Sequence, residues 1–228
     1  MSIEKPQILV ITPNSNEAVT EGMAKELQSF NFSDGPEIVC VNLTQGPYGI
    51  ESQADVESVK LPLRNMVKDR KDIDAFVIAC YSDPGLQVCR EATERPVFGI
   101  QECGVLAAMS QGDRFGVIAL QESSVRRHLL YLRQMGVMGR FAKERAANLS
   151  VEECAGGKKT FDKLFFIAQQ LRDEDQADTI ILGCAGMVSH RSSLESRIGI
   201  PVIDPVQAAV SMAIHTVISK SENHPNFL

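Results

Sequence analysis

The sequence is poor in several things that mark common functions. It has no tryptophan and 3 tyrosines, and aromatic residues make up 6% of its 228 positions. A face that stacks single-stranded nucleic acid interleaves aromatic and basic side chains, and that pattern is missing. So is any basic run: 23 Lys and Arg are scattered among 29 Asp and Glu, leaving a net charge of -6, so successive phosphates find no partner. No apolar stretch approaches the roughly 20 residues of a membrane-spanning helix. The N-terminal residues lack the charged start, apolar middle and cleavage site of a signal peptide. Neither nucleic acid nor membrane is an expected partner, and the cytoplasm is the expected location. The six cysteines, at 40, 80, 89, 103, 154 and 184, include no C-x-x-C pair, and the four histidines (128, 190, 215, 224) lie at no ligand spacing from them. Free thiols and no metal are expected. No G-x-G-x-x-G follows a strand-like run, and Gly156 and Gly157 ahead of Lys158 and Lys159 lack the strand and spacing of a phosphate loop. No cofactor is indicated.

What the chain does contain is alternation. Apolar, Val- and Ile-rich runs of strand length alternate with segments of helical period, the pattern of βαβ units on a parallel sheet. Strands are expected at residues 8–11, 38–43, 75–79 and 115–120. Helices are expected where Val19, Met23 and Leu27, then Leu63, Met66 and Val67, then Leu129, Leu132 and Met135 share a face, the last capped by Ser123 or Ser124. Landmarks recur at a nearly constant offset of 104 to 106: Asn42-Leu43 with Asn148-Leu149, Asp74 with Asp178, Cys80 with Cys184, and Pro96-Val97 with Pro201-Val202. That drift of two residues points to a duplicated unit. The expected architecture is α/β, with two pseudo-symmetric, doubly wound lobes of parallel sheet. Ligands in such sheets bind at the carboxyl ends of the strands, so the active site is expected in the cleft between the lobes. The first lobe is drawn as residues 1–98 plus 206–228, with the final helix packing back on it, and the second as 99–205.

Cys80 and Cys184 both end an apolar strand-like run just before small or turn-forming residues. Singly, each reads as a small buried residue, because free cysteine packs like a small hydrophobe. Their matched positions in the repeat favour another reading, an acid and a base on opposite faces of one carbon. Inversion next to a carbonyl requires one group to remove a proton and another to return one from the other side. With thiols, one must be thiolate. An ordinary thiol, with pKa near 8.5, is mostly protonated at neutral pH, so a helix start and its N–H groups after each cysteine would have to help. Cys40 and Cys89 read as core, and Cys103 and Cys154 have no symmetric partner. His190 reads as an exposed turn with a lesser claim to assist a thiolate, Asp83 as a cap ahead of Pro84, and Asn14 as either a carbonyl contact or a cap.

Several segments together resemble the aspartate/glutamate/hydantoin racemases, and within them the hydantoin and allantoin branch. They are Ile-Thr-Pro-Asn-Ser at 11–15, Gly46-Pro47 with Ile50-Glu51, Ala-Cys-Tyr-Ser-Asp-Pro-Gly-Leu at 79–86 and Gly-Cys-Ala-Gly-Met at 183–187. The resemblance spans nearly the whole chain, and the last two segments are its specific part. It implies a cofactor-independent, commonly homo-oligomeric isomerase with Cys80 and Cys184 as catalytic acid and base. It also implies a substrate enclosed by loops bearing Asn14, Gly46, Pro47, Tyr81, Ser82, Leu120, Gln121, Ala185 and Gly186. Amino-acid racemases of the superfamily carry Asn-Thr and Thr-His where this chain has Tyr81-Ser82 and Ala185-Gly186. Loss of those polar groups favours a cyclic ureide or imide ring. The branch often has threonines where Ala119 and Leu120 stand here, which bears on how a ring carbonyl is held. A 5-monosubstituted hydantoin is the leading expected substrate, with allantoin as the alternative and free Asp or Glu less favoured. From another class, a non-catalytic ligand-binding or thiol-redox sensor protein would use the same two cysteines differently.

Overall fold

The computed structural model describes residues 5–221. Its chain order is β1 (Gln7–Thr12), α1 (Glu17–Leu27), β2 (Glu37–Asn42), α2 (Gln53–Asp69), β3 (Ala75–Ile78), α3 (Leu86–Ala92), β4 (Val97–Gly99) and α4 (Ile100–Gln111). The order then repeats with β5 (Phe115–Ala119), α5 (Glu122–Met135), β6 (Phe141–Ala146), α6 (Lys158–Asp173), β7 (Thr179–Gly183), α7 (Arg191–Ile198), β8 (Val202–Ile203) and α8 (Pro205–Ser221). All pairings are parallel, and the two four-stranded sheets share one plan, β2-β1-β3-β4 and β6-β5-β7-β8. The fold is therefore the expected two-lobed α/β arrangement. Residues 1–4 and 222–228, which the expected first lobe includes, lie outside the described residues.

The apolar runs form strands because both of their faces are covered. Along β1, Ile8 and Val10 join a core that also takes Ala75 and Val77 from β3 and Phe115, Val117 and Ile181 from the second sheet. The intervening Leu9 and Ile11, with Phe76 and Ile78, turn to an outer core under α2, and Ile118, Ile180 and Leu182 do the same over α6 and α7. Period-2 alternation thus sorts each sheet's side chains between a core shared by both lobes and a core of its own.

The repeat is also visible in how the strands are pinned. The carboxylate of Asp74 accepts the N–H of Gln7 at the start of β1 (2.9 Å). Its counterpart Asp178 accepts those of Asp113 and Arg114 just before β5 (2.8 and 2.9 Å). Helix α4 leaves the first sheet and packs against β7 and β8, whereas α8 leaves the second and packs against β1, β3 and β4; the two helices also pack on each other. No helix among the described residues is long and apolar enough to cross a membrane.

Candidate active site

In the register, Ile11 lies opposite Ile78 on the first sheet and Ala119 opposite Gly183 on the second. Cys80 and Cys184 follow two and one residues later, at the carboxyl edges of β3 and β7. Both line one cavity between the lobes. The local electrostatics are nearly symmetric, since the backbone N–H two residues on favours the thiolate at each sulfur, Ser82 for Cys80 and Gly186 for Cys184.

The helix starts expected after both cysteines are only half present. Cys184 caps a 3-10 turn, Ala185–His190. Cys80 instead opens a tight turn closed by the N–H of Asp83 on its carbonyl (2.9 Å), and α3 begins only at Leu86. Asp83 is the reason. Its backbone is left-handed (φ 41°), which aspartate tolerates, and its buried carboxylate accepts the N–H groups of Gln101 and Glu102 (2.9 Å each). It therefore caps the start of α4, not the helix that follows Pro84. Burial pushes its pKa up to about 7 despite those two bonds.

The two thiols end up unlike. Burial pushes Cys80 up to about 12, with the charges of Cys184 and Asp83 adding to it and the Ser82 N–H and Arg127 opposing it. Cys184 is held below an ordinary thiol, first because the thiol of Cys154 donates a hydrogen bond to its sulfur, and also through the Gly186 N–H; burial works against both. Cys154 itself is pushed strongly up by the same bond. It is fully buried in a turn whose backbone carbonyl at Cys154 meets His190 Nε2 at 3.1 Å. His190 is thus a buried prop of this turn, not an exposed residue. Cys154, which has no symmetric counterpart in the repeat, thus acts on Cys184.

Of the residues singled out from sequence, Asn14, Tyr81, Ser82, Leu120, Gln121, Ala185 and Gly186 line the cavity with the two cysteines. Gly46 and Pro47 are not among the lining residues. They sit behind Asn14, with the Pro47 carbonyl accepting the N–H of Ser15 (2.9 Å). Asn14 Oδ1 accepts the N–H of Asn16 (3.1 Å), so its amide nitrogen is the end left for a ligand. Gln121 Nε2 donates to the Leu149 carbonyl (2.9 Å). The N-cap of α5 is Gln121, not Ser123 or Ser124; both serines lie inside the helix, and Ser124 Oγ donates back to the Gln121 carbonyl (2.7 Å).

The cavity wall also holds residues that sequence reasoning missed: Thr12, Glu51, Ser124, Arg127 and His128. Arg127 Nε donates to Ser82 Oγ (3.2 Å). Ser82 Oγ also meets His128 Nε2 (3.3 Å), and His128 Nδ1 meets Glu144 Oε1 (2.6 Å). The signal available was the stripe Ser124, His128 and Leu132, one buried face of α5 at a spacing of four. No cluster of three or more metal-ligating side chains occurs among the described residues, and all six cysteines are free.

The chain matches the Asp/Glu/hydantoin racemase family model over residues 8–213. A hydantoin racemase from Paenarthrobacter aurescens is 37% identical over 212 residues, covering 91% of this chain and 89% of that protein. Another, from Pseudomonas sp. (strain NS671), is 34% identical over 224 residues, covering 91% and 84%. Among solved structures, an allantoin racemase from Klebsiella pneumoniae superposes with a TM-score of 0.89 at 27% identity, covering 95% of this chain and 89% of that one.

Proposed function

The chain belongs to the Asp/Glu/hydantoin racemase family and is an isomerase, and from that premise we propose that it inverts the ring carbon of 5-monosubstituted hydantoins with Cys184 and Cys80 as base and acid. The observation that carries this reading is the pair of pseudo-symmetric thiols in one cavity, each tied to the amide two residues on. The cycle begins with Cys184 as the thiolate and Cys80 as the thiol. The Cys184 sulfur takes the proton from C5, and the C–H electron pair moves into the neighbouring ring carbonyl to form an enolate. Cys80 then gives its proton to the opposite face of C5, the carbonyl re-forms, and the thiol and thiolate have exchanged places. The opposite enantiomer runs the same steps backwards. Protons and electrons balance without a cofactor.

A ring with an apolar substituent suits the cavity's surroundings. Val19, Val151, Ala185 and Gly186 line both this cavity and a neighbouring open one that continues to Met23, Tyr48 and Val188, which gives a 5-alkyl or 5-aryl group somewhere to go. Allantoin is the second reading, favoured by the structural likeness to an allantoin racemase; its ureido arm would need a hydrogen bond of the kind Tyr48 can offer. Assembly into a homo-oligomer belongs to the same proposal. The test is polarimetry of enantiopure 5-benzylhydantoin and enantiopure allantoin with the purified chain and no added cofactor, against an enzyme-free control. Rotation is expected to decay with both rings and faster with 5-benzylhydantoin. Faster decay with allantoin would exchange the two readings, and decay with neither would overturn both.

A further inference from the structure

A buried chain of polar groups runs from the cavity wall into the second lobe, and the two-thiol reading makes no use of it. Glu144 lies on β6 with its side chain fully buried, and His128 on α5 is 3% exposed. Glu144 Oε1 meets His128 Nδ1 at 2.6 Å, while its second oxygen has no hydrogen-bond partner among the described residues. Burying a carboxylate this poorly satisfied is costly, and apolar residues at such a pair of positions commonly serve a fold as well or better. The ring of His128 is fixed by the edge-on ring of Tyr81, 5.0 Å away at 83°, the residue directly after Cys80. Its Nε2 points at Ser82 Oγ (3.3 Å), and Arg127 Nε reaches the same oxygen (3.2 Å). Ser82, Arg127 and His128 all line the cavity that holds the thiols.

We propose that Ser82 and Arg127 form an oxygen-holding edge of this cavity, receiving the ring carbonyl whose oxygen gains charge as the C5 proton leaves, and that His128 and Glu144 aim Ser82. The inference rests on the racemase reading above. Arg127 gives its Nε–H to Ser82 Oγ and His128 Nε2 lies on the same oxygen, so the hydroxyl is held at the cavity wall with the guanidinium beside it. A fixed donor beside a guanidinium is the arrangement that stabilises an enolate oxygen more than the carbonyl it came from. Ser82 and Arg127 are therefore catalytic residues, and His128 and Glu144 positioning residues that act through Ser82. The edge recognises the ring's carbonyl and not its substituent, so it serves a hydantoin or allantoin alike.

The test is a double-mutant cycle on the full chain, measuring kcat and KM for whichever ring the wild type racemises faster, in the wild type, Ser82→Ala, Glu144→Gln and the double variant, with Cys80→Ser as the inactive reference. Ser82→Ala is expected to lower kcat about 100-fold with KM within about threefold. Glu144→Gln should lower it about 10-fold, and the double variant should be no worse than Ser82→Ala alone, as required of a residue that acts only through its partner. If Glu144→Gln does not fold, as judged by circular dichroism, His128→Gln takes its place in the cycle. A Ser82→Ala enzyme within twofold of wild type, or losses that multiply in the double variant, would overturn the inference while an inactive Cys80→Ser left the two-thiol reading standing. A wild type that racemises neither ring would overturn both.

Discussion

At the scale of single residues, the asymmetry between the two thiols turns on a third. Cys154 donates to the Cys184 sulfur and holds its pKa below that of a free thiol; without the donor, the thiolate loses a charge-assisted bond and its pKa rises. On the proposed mechanism, the form that acts on the enantiomer whose C5 proton faces Cys184 has Cys184 deprotonated and Cys80 protonated, so activity toward it rises with pH as Cys184 ionises and persists until Cys80 does, near 12. In Cys154→Ala the rising limb of kcat/KM is expected to move to higher pH, with activity lost on the acid side of the profile and kept on its plateau. In Cys154→Ser, which keeps a donor, the shift should be smaller. A rising limb unmoved in Cys154→Ala would remove this role. Cys80 and Cys184 were legible in the sequence because a repeat marks equivalent positions without reference to space. Cys154 was not, because its approach to Cys184 depends on the turn that follows Leu149 and on its prop at His190, which no periodicity encodes. The Ser82–His128–Glu144 line was hidden for the same reason: its members are 46 and 16 residues apart in sequence.

At the scale of elements, strands buried on both faces were legible as continuous apolar runs, and β1, β3 and β5 lie where the runs place them. β6 was not legible. Its Phe-Ala-Lys-Glu-Arg-Ala sequence carries three charges, because it is an edge strand with partly open positions and one carboxylate, Glu144, turned inward. The loop contacts around the cavity are also tertiary. Gly46 approaches the Pro13–Asn14 backbone so closely that an added Cβ would lie 2.7 Å from the Pro13 carbonyl oxygen. Gly46→Ala is therefore expected to displace the loop that presents Asn14, lowering kcat/KM about tenfold, since small misplacements of a binding loop are costly to rate, while circular dichroism stays native. Full activity in that variant would show that the loop's position is not needed.

At the scale of the whole molecule, the core that joins the sheets contains Ile8 and Val77 from the first, Val117 and Ile181 from the second, and the buried faces of α4 and α8 between them. We propose that the lobes divide before α4 and before α8, because each of these helices covers the sheet opposite to the one its own preceding strand joins. Exchange of helices across a shared core leaves neither lobe able to lose its packing alone, so unfolding is expected as one transition. Ile181→Ala should lower stability by about 2–5 kcal/mol without splitting it, as followed in urea by circular dichroism and by loss of activity; two separated transitions would contradict this. The same pseudo-symmetry sets two thiols in one cavity, and the measurement that tests that most directly is the rate of racemisation in D2O by Cys80→Ser and Cys184→Ser, with deuterium at C5 followed by NMR from each enantiomer. Both variants are expected to lose racemisation by several orders of magnitude, while the wild type inverts either enantiomer with deuterium incorporated. Racemisation surviving near the wild-type rate in either variant would contradict the two-thiol account.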